Sequence, residues 1–174
     1  MNSGAERNAG KAVDRIQERI ADYACGLSYD RLPPEVTHAA KLHVIDTLGA
    51  LFGGFYGEPC RIARDLAARM SLPDGVTVVG TRMKTTPDMA AFVNGTTSRY
   101  AEIAGRYDMP GSFGAHTSDT VLPILAAAEH VRAGGREFIA AVVLAYEICS
   151  RVSHFFRNEG FDNTNLSCLS TAAG

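Results

Sequence analysis

Residues 106–123 read RYDMPGSFGAHTSDTVLP and set one histidine, His116, against a run of hydroxyl and carboxyl side chains: Thr117, Ser118, Asp119 and Thr120. An imidazole exchanges its proton nearest to neutral pH, so the chemistry this pattern suggests is acid/base. Pro123 cannot donate a backbone hydrogen bond and fits best in the first turn of a helix, which predicts an N-cap at Thr120. His116 would then stand just outside the positive end of that helix, where the dipole disfavours an imidazolium and attracts anions. A neutral imidazole in that position can take or give a proton beside a bound carboxylate. The plainer alternative is a loop histidine that hydrogen-bonds the backbone.

Nearby charges complete the candidate set. Arg99 and Arg106 carry planar forks able to hold a carboxylate bidentately, although arginines of this kind also suit an ordinary surface. Glu102 and Asp108 are candidates to orient His116, and the three together form the candidate catalytic group. Asp119 could orient it too, or only complement the dipole of the first turn. Thr117 and Ser118 are the candidate substrate-binding hydroxyls. His38 and His43 fall on or beside a helical stripe and read as structural or solvated. No metal-ligand set and no cofactor motif is present.

The elements that must position these groups are mostly helical. Val13, Ile16, Ile20, Tyr23, Ala24 and Leu27 form one stripe at helical spacing. Pro33-Pro34 suit a helix start, and Val36, Ala39, Ala40, Val44, Leu48, Leu51 and Phe52 repeat at three and four before Gly53-Gly54. Another helix is predicted over 60–70. The run at 76–79 is the one clear strand candidate, after a Pro-Asp-Gly turn signal. Thr86 and Pro87 then open a helix as N-cap and first residue. Past Gly134-Gly135, Phe138, Val142, Tyr146 and Cys149, widened by Ile139, Val143 and Phe156, mark a central helix. The expected fold is therefore a mostly α helical bundle with at most one short strand.

Composition bounds the rest. With 174 residues, 46% apolar and 21% charged, the chain can bury a core. A net charge of −2 argues against a general binder of nucleic acid or anionic membranes. No apolar run approaches the roughly 18 residues of a membrane span. Residues 1–12 lack a secretory apolar region and read as a disordered tail ahead of a helical domain over 13–174. Cys25, Cys60, Cys149 and Cys168 are scattered among apolar neighbours, which predicts buried thiols in a cytoplasmic protein. The end, GFDNTNLSCLSTAAG, opens a helix of small residues without closing it. The domain is thus expected to be completed by a continuation, a partner chain or self-association, with Leu166, Leu169 and Ala172-Ala173 on the apolar face.

Four segments in order, HAAKLHVIDTLGALFGG, GTRMKTTPDMAAFVNGTTSRYAEI, GAHTSDTVLPILAAAEH and FIAAVVLAYEICSR, resemble the MmgE/PrpD family from about Ile16 onward. That family includes 2-methylcitrate dehydratase, cis-aconitate decarboxylase and iminodisuccinate epimerase. The resemblance implies a mostly helical N-terminal domain, in a protein normally more than twice this length, acting without metal on small di- or tricarboxylates. GAHTSD is similar to the family's Gly-x-His-Pro-Ser-Asp, so His116 takes the place of an active-site histidine and Thr117 that of the proline. Glu102 keeps one acid of the family's acidic stretch, whereas Gly105 and Arg106 stand where Asp and Thr are expected. Asp162 stands where a later histidine is expected.

Two functional readings follow. In one, the chain is a lyase or isomerase, or a subunit of one, moving a proton next to a carboxylate of a small carboxylic acid. His116 is then the acid/base, Arg99 and Arg106 the anchors, and Glu102 or Asp108 the orienting group. In the other, the chain is a non-catalytic helical subunit or dimerisation module that has lost part of the site.

Overall fold

Proline, which fixes φ and lacks an N–H, sets where three helices begin. Helix α2 (Pro34–Gly54) starts on Pro34, α3 (Glu58–Ala68) carries Pro59 in its first turn, and α4 (Pro87–Tyr100) starts on Pro87 behind Thr86. The computed structural model describes residues 15–106 and 116–155, with side chains as far as Ser153. It adds α1 (Arg15–Gly26), α5 (Val121–Val131) and α6 (Gly135–Phe155). Of the described residues, 73% are helical. The fold is mostly α, as the periodicity indicates.

The predicted strand is present but earlier and paired. Strand β1 (Ser71–Thr77) runs antiparallel to the two-residue β2 (Lys84–Thr85), with Val76 opposite Thr85 and Thr77 opposite Lys84. Val78 lies past the end of β1, where its N–H donates to Met83 O at 3.0 Å across the turn. Gly80 supplies that turn's left-handed φ of +82°. Helices clamp the hairpin from two sides. Glu129 of α5 accepts from Thr77 N at 2.9 Å and from Thr77 Oγ1 at 2.6 Å. Asn94 of α4 accepts from Val79 N at 3.0 Å and donates to Thr77 O at 3.1 Å.

The core sits between α2, α4, α5 and α6. Val121, Ile124, Val142 and Ala145 pack together, with Val44, Phe138 and Tyr146 against them. A second cluster joins Ala63 and Ala67 of α3 to Val78 and Val93. Leu51 and Leu122 are essentially fully buried, each worth about 1.5–3 kcal/mol on transfer from water. Small residues let the helices approach closely. A Cβ on Gly54 would lie 2.1 Å from Thr97 O, so only glycine permits this α2–α4 crossing.

Two expectations are corrected. No α1 residue is fully buried: Ala24 is half-buried, and Ile16 is 71% exposed. Cys25 is accordingly exposed rather than buried, because it rides on that helix, whereas Cys60 and Cys149 are buried as expected. Thr120 stands at the N-cap position of α5, as the sequence predicts, but its side chain makes no capping hydrogen bond. A 3₁₀ turn over Thr117–Thr120 runs straight into α5, so Thr120 already has helical φ and ψ of −79° and −24°. Its hydroxyl donates back to Thr117 O at 2.7 Å. Asp108, Asp162, Cys168, the tail over 1–12 and the apolar positions from Leu166 to Ala173 lie outside the described residues. No helix among the described residues is long and apolar enough to cross a membrane.

Candidate active site

Arg99 occupies the last turn of α4, and all three of its guanidinium nitrogens are engaged. Nη1 pairs with Glu102 Oε2, Nε lies 3.7 Å from Asp119 Oδ1, and Nη2 lies 3.3 Å from His116 Nε2. The helix end supplies Arg99, the following turn supplies Glu102, and the 3₁₀ turn before α5 supplies His116 and Asp119. Three of the sequence candidates, Arg99, Glu102 and His116, thus meet in one cluster, with Asp119 as a fourth member. A guanidinium can only donate, so His116 Nε2 accepts, which assigns the neutral ring's proton to Nδ1.

The two carboxylates on this guanidinium are pushed apart. The Arg99 hydrogen bond holds Glu102 below its ordinary value. Burial raises Asp119, and Glu102 adds to the rise, against the pull of Arg99. Glu102 is mostly exposed, so its charge is also well solvated. Paired acids with opposed shifts give one group that stays ionised and one that keeps a proton more readily, which suits a division between base and acid.

Glu102 holds a left-handed φ of 53°, a conformation costing a residue with a Cβ roughly 1–2 kcal/mol. The same segment is tied from below, where Gly105 N–H donates to Asp46 Oδ2 of α2 at 2.7 Å. A Cβ on Gly105 would lie 3.2 Å from that oxygen and 3.6 Å from His43 Nδ1. His43 in turn packs its ring on Tyr146 of α6, with centroids 5.0 Å apart. Burial, with Asp46 and Asp119 nearby, keeps the Tyr146 hydroxyl protonated well above its ordinary range. That hydroxyl faces Thr117 but completes no hydrogen bond of good geometry.

The remaining candidates fall into three places. Thr117 and Ser118 are each 2% exposed, so they line the inner side of the 3₁₀ turn, and the Ser118 hydroxyl is buried without a hydrogen-bond partner. Arg106 is exposed, one residue past Gly105. Asp108 is outside the described residues. The sequence reading missed Asp46, His43 and Tyr146 as neighbours of the cluster. The one available signal was the spacing of His43 and Asp46, three apart on α2, which puts both on one face.

A sizeable apolar groove lies elsewhere. About 550 Å³ lies open between α3 and α4, lined by Pro59, Ile62, Leu66 and Phe92. Its wall is almost wholly apolar and offers no cation to a carboxylate.

Comparison with known proteins now adds the lineage. The MmgE/PrpD N-terminal domain matches residues 18–174. This chain belongs to the MmgE/PrpD family. Cis-aconitate decarboxylase of Homo sapiens is 30% identical over 146 residues, which is 80% of this chain and 30% of that protein. The chain therefore spans about a third of the length of this MmgE/PrpD relative. No solved structure gives a significant match. Where the MmgE/PrpD pattern leads one to expect an aspartate at 105, this chain has the glycine that donates to Asp46. An aspartate there would bring a second carboxylate against the first.

Proposed function

We propose that this protein is a lyase or isomerase, or a subunit of one, that moves a proton next to a carboxylate of a small di- or tricarboxylic acid. His116 gives and takes the proton. Glu102 and Asp119 set the charge around it through Arg99, and Asp108 is a further candidate to orient it. Arg106, exposed one residue past Gly105, anchors a substrate carboxylate. Arg99 joins it only when a substrate carboxylate displaces Glu102 or Asp119 from the guanidinium. Thr117 and Ser118 supply hydroxyl groups to the bound acid only if the buried 3₁₀ turn that carries them moves. The proton moves between side chains and substrate, with no metal or organic cofactor in that step.

The observation that carries this reading is the junction of Arg99 with His116, Glu102 and Asp119, in a chain of a family that includes a decarboxylase of aconitate. Abstraction of a proton beside a carboxylate leaves a carbanion, whose charge must be met by groups already in place. A cationic hub bordered by an imidazole and by acids of opposed shift is such an arrangement. The test is solvent exchange. Citrate-like and aconitate-like acids incubated with the protein in D₂O should take up deuterium at the carbon beside a carboxylate. A set of such acids that stays fully protonated would contradict the proposal.

One observation favours the second reading, a non-catalytic helical module. Every nitrogen of Arg99 is already engaged, and Gly105 and Arg106 replace the acid and hydroxyl expected of the family. On either reading we propose that the protein works as an assembly in the cytoplasm. Leu42, Ile45, Phe52 and Ile103, each more than half exposed, support association.

A further inference from the structure

The segment that carries Glu102 takes its course from a different helix. Asp46 of α2 and Gly105 are 59 positions apart in sequence, yet the Gly105 N–H meets Asp46 Oδ2 at 2.7 Å. A charged acceptor makes this a stronger bond than a carbonyl would. A Cβ at 105 would press on Asp46 Oδ2, which would have to give by a few tenths of an ångström, while meeting His43 only in ordinary contact. Ile103 lies against α2 as well, with its Cδ1 3.5 Å from where a Cβ of Gly53 would stand. Between these two fixed points and Arg99, Glu102 keeps its left-handed φ. A residue with a Cβ persists in that conformation only where its surroundings over-determine it.

We infer that Asp46 is a positioning residue for the candidate active site. By fixing Gly105 it holds residues 102–106 against α2. Glu102 then stays on Arg99, and Arg99 stays on His116 Nε2. Asp46 acts through Gly105, Glu102 and Arg99 in series and needs no contact with substrate. The inference rests on the proposed role of His116 for its functional meaning, and on the geometry alone for the coupling itself.

The test reads the coupling without relying on turnover. Amide exchange at Gly105 and the ¹⁵N signals of the His116 ring are compared in the full protein, in Asp46→Asn and in Asp46→Leu. Asp46→Leu should speed Gly105 exchange roughly ten- to a hundredfold, the worth of a hydrogen bond to a charged group. It should also move the His116 ring signals away from the Nδ1–H pattern, while core amides of α6 exchange as before. Asp46→Asn keeps an acceptor oxygen and should stay within a few-fold of the parent, with the ring pattern retained. Should Asp46→Leu fail to fold, Gly105→Ala attacks the same contact from the loop side and should move the same ring signals. Unchanged Gly105 exchange in Asp46→Leu would overturn the inference. So would faster exchange with unmoved His116 signals, which would make the contact purely structural. Absence of any deuterium uptake by substrate acids would remove the proposed function and leave this result standing.

Discussion

Arg99 Nη2 stands 3.3 Å from His116 Nε2, so a group that can only donate faces the ring nitrogen that would otherwise accept a substrate proton. In this arrangement Arg99 is first a partner of the histidine and only second a clamp for substrate. A carboxylate that draws Arg99 aside would release Nε2 as it arrives, which couples binding to the readiness of the base.

That relationship predicts a tautomer. Long-range ¹H–¹⁵N spectra of the protein at neutral pH should show the His116 proton on Nδ1. Arg99→Ala should give a mixture of the two neutral forms. A ring predominantly protonated on Nε2 in the parent would contradict the assignment.

Asp119 predicts a pH dependence of stability. Burial raises its pKa above the ordinary 3.8, so the native state binds that proton more tightly than the unfolded chain. Stability should therefore fall as pH rises from near 3.8 through the raised value, then level off. Asp119→Asn should flatten that part of the curve. Glu102 works in the opposite sense, so the informative quantity is the difference between parent and variant in urea unfolding at successive pH values. Parallel curves would count against a buried, proton-retaining Asp119.

Gly54 predicts a packing cost. Its absent Cβ leaves room for Thr97 O, 2.1 Å from where that atom would stand. Gly54→Ala must push α2 from α4 and should lose about 1–3 kcal/mol or more in denaturant unfolding. Gly49→Ala, which meets no atom within 4 Å, should be neutral or slightly stabilising. Equal effects at both positions would contradict the close crossing.

The uncovered apolar side chains predict association. At tens of micromolar the protein should sediment as an oligomer or be recovered with a partner chain, because no residue of α1 is fully buried and Leu42, Ile45 and Phe52 of α2 are each more than half exposed. A monodisperse monomer recovered without a partner would contradict this.

The sequence made the helices legible wherever one face is apolar and a proline marks the start, as at Pro34 and Pro87, and along Val142, Tyr146 and Cys149 of α6. Periodicity reports that a face is apolar, not how fully anything covers it, which is why Cys25 is exposed where its apolar neighbours predict burial. The 3₁₀ turn at Thr117 escaped because a hydroxyl before a helix signals a cap equally well when it bonds back to its own turn. Of the site, Arg99, Glu102 and His116 were legible as residue types suited to acid/base work on carboxylates. Their junction was not, because Arg99 and His116 are 17 positions apart. The Asp46–Gly105 contact obeys no local period at all, and only the fold brings that pair together.

The central claim, that His116 moves the proton, is met most directly by one measurement: steady-state turnover of citrate-like and aconitate-like acids by the assembled protein and by His116→Ala. The account predicts that kcat falls by roughly two to four orders of magnitude, the usual weight of a positioned acid/base, while KM changes little. Arg106→Ala, measured beside it, should mainly raise KM, as expected for an anchor that acts in ground and transition states alike. Turnover left intact in His116→Ala would contradict the account and leave this histidine a structural element of the loop before α5.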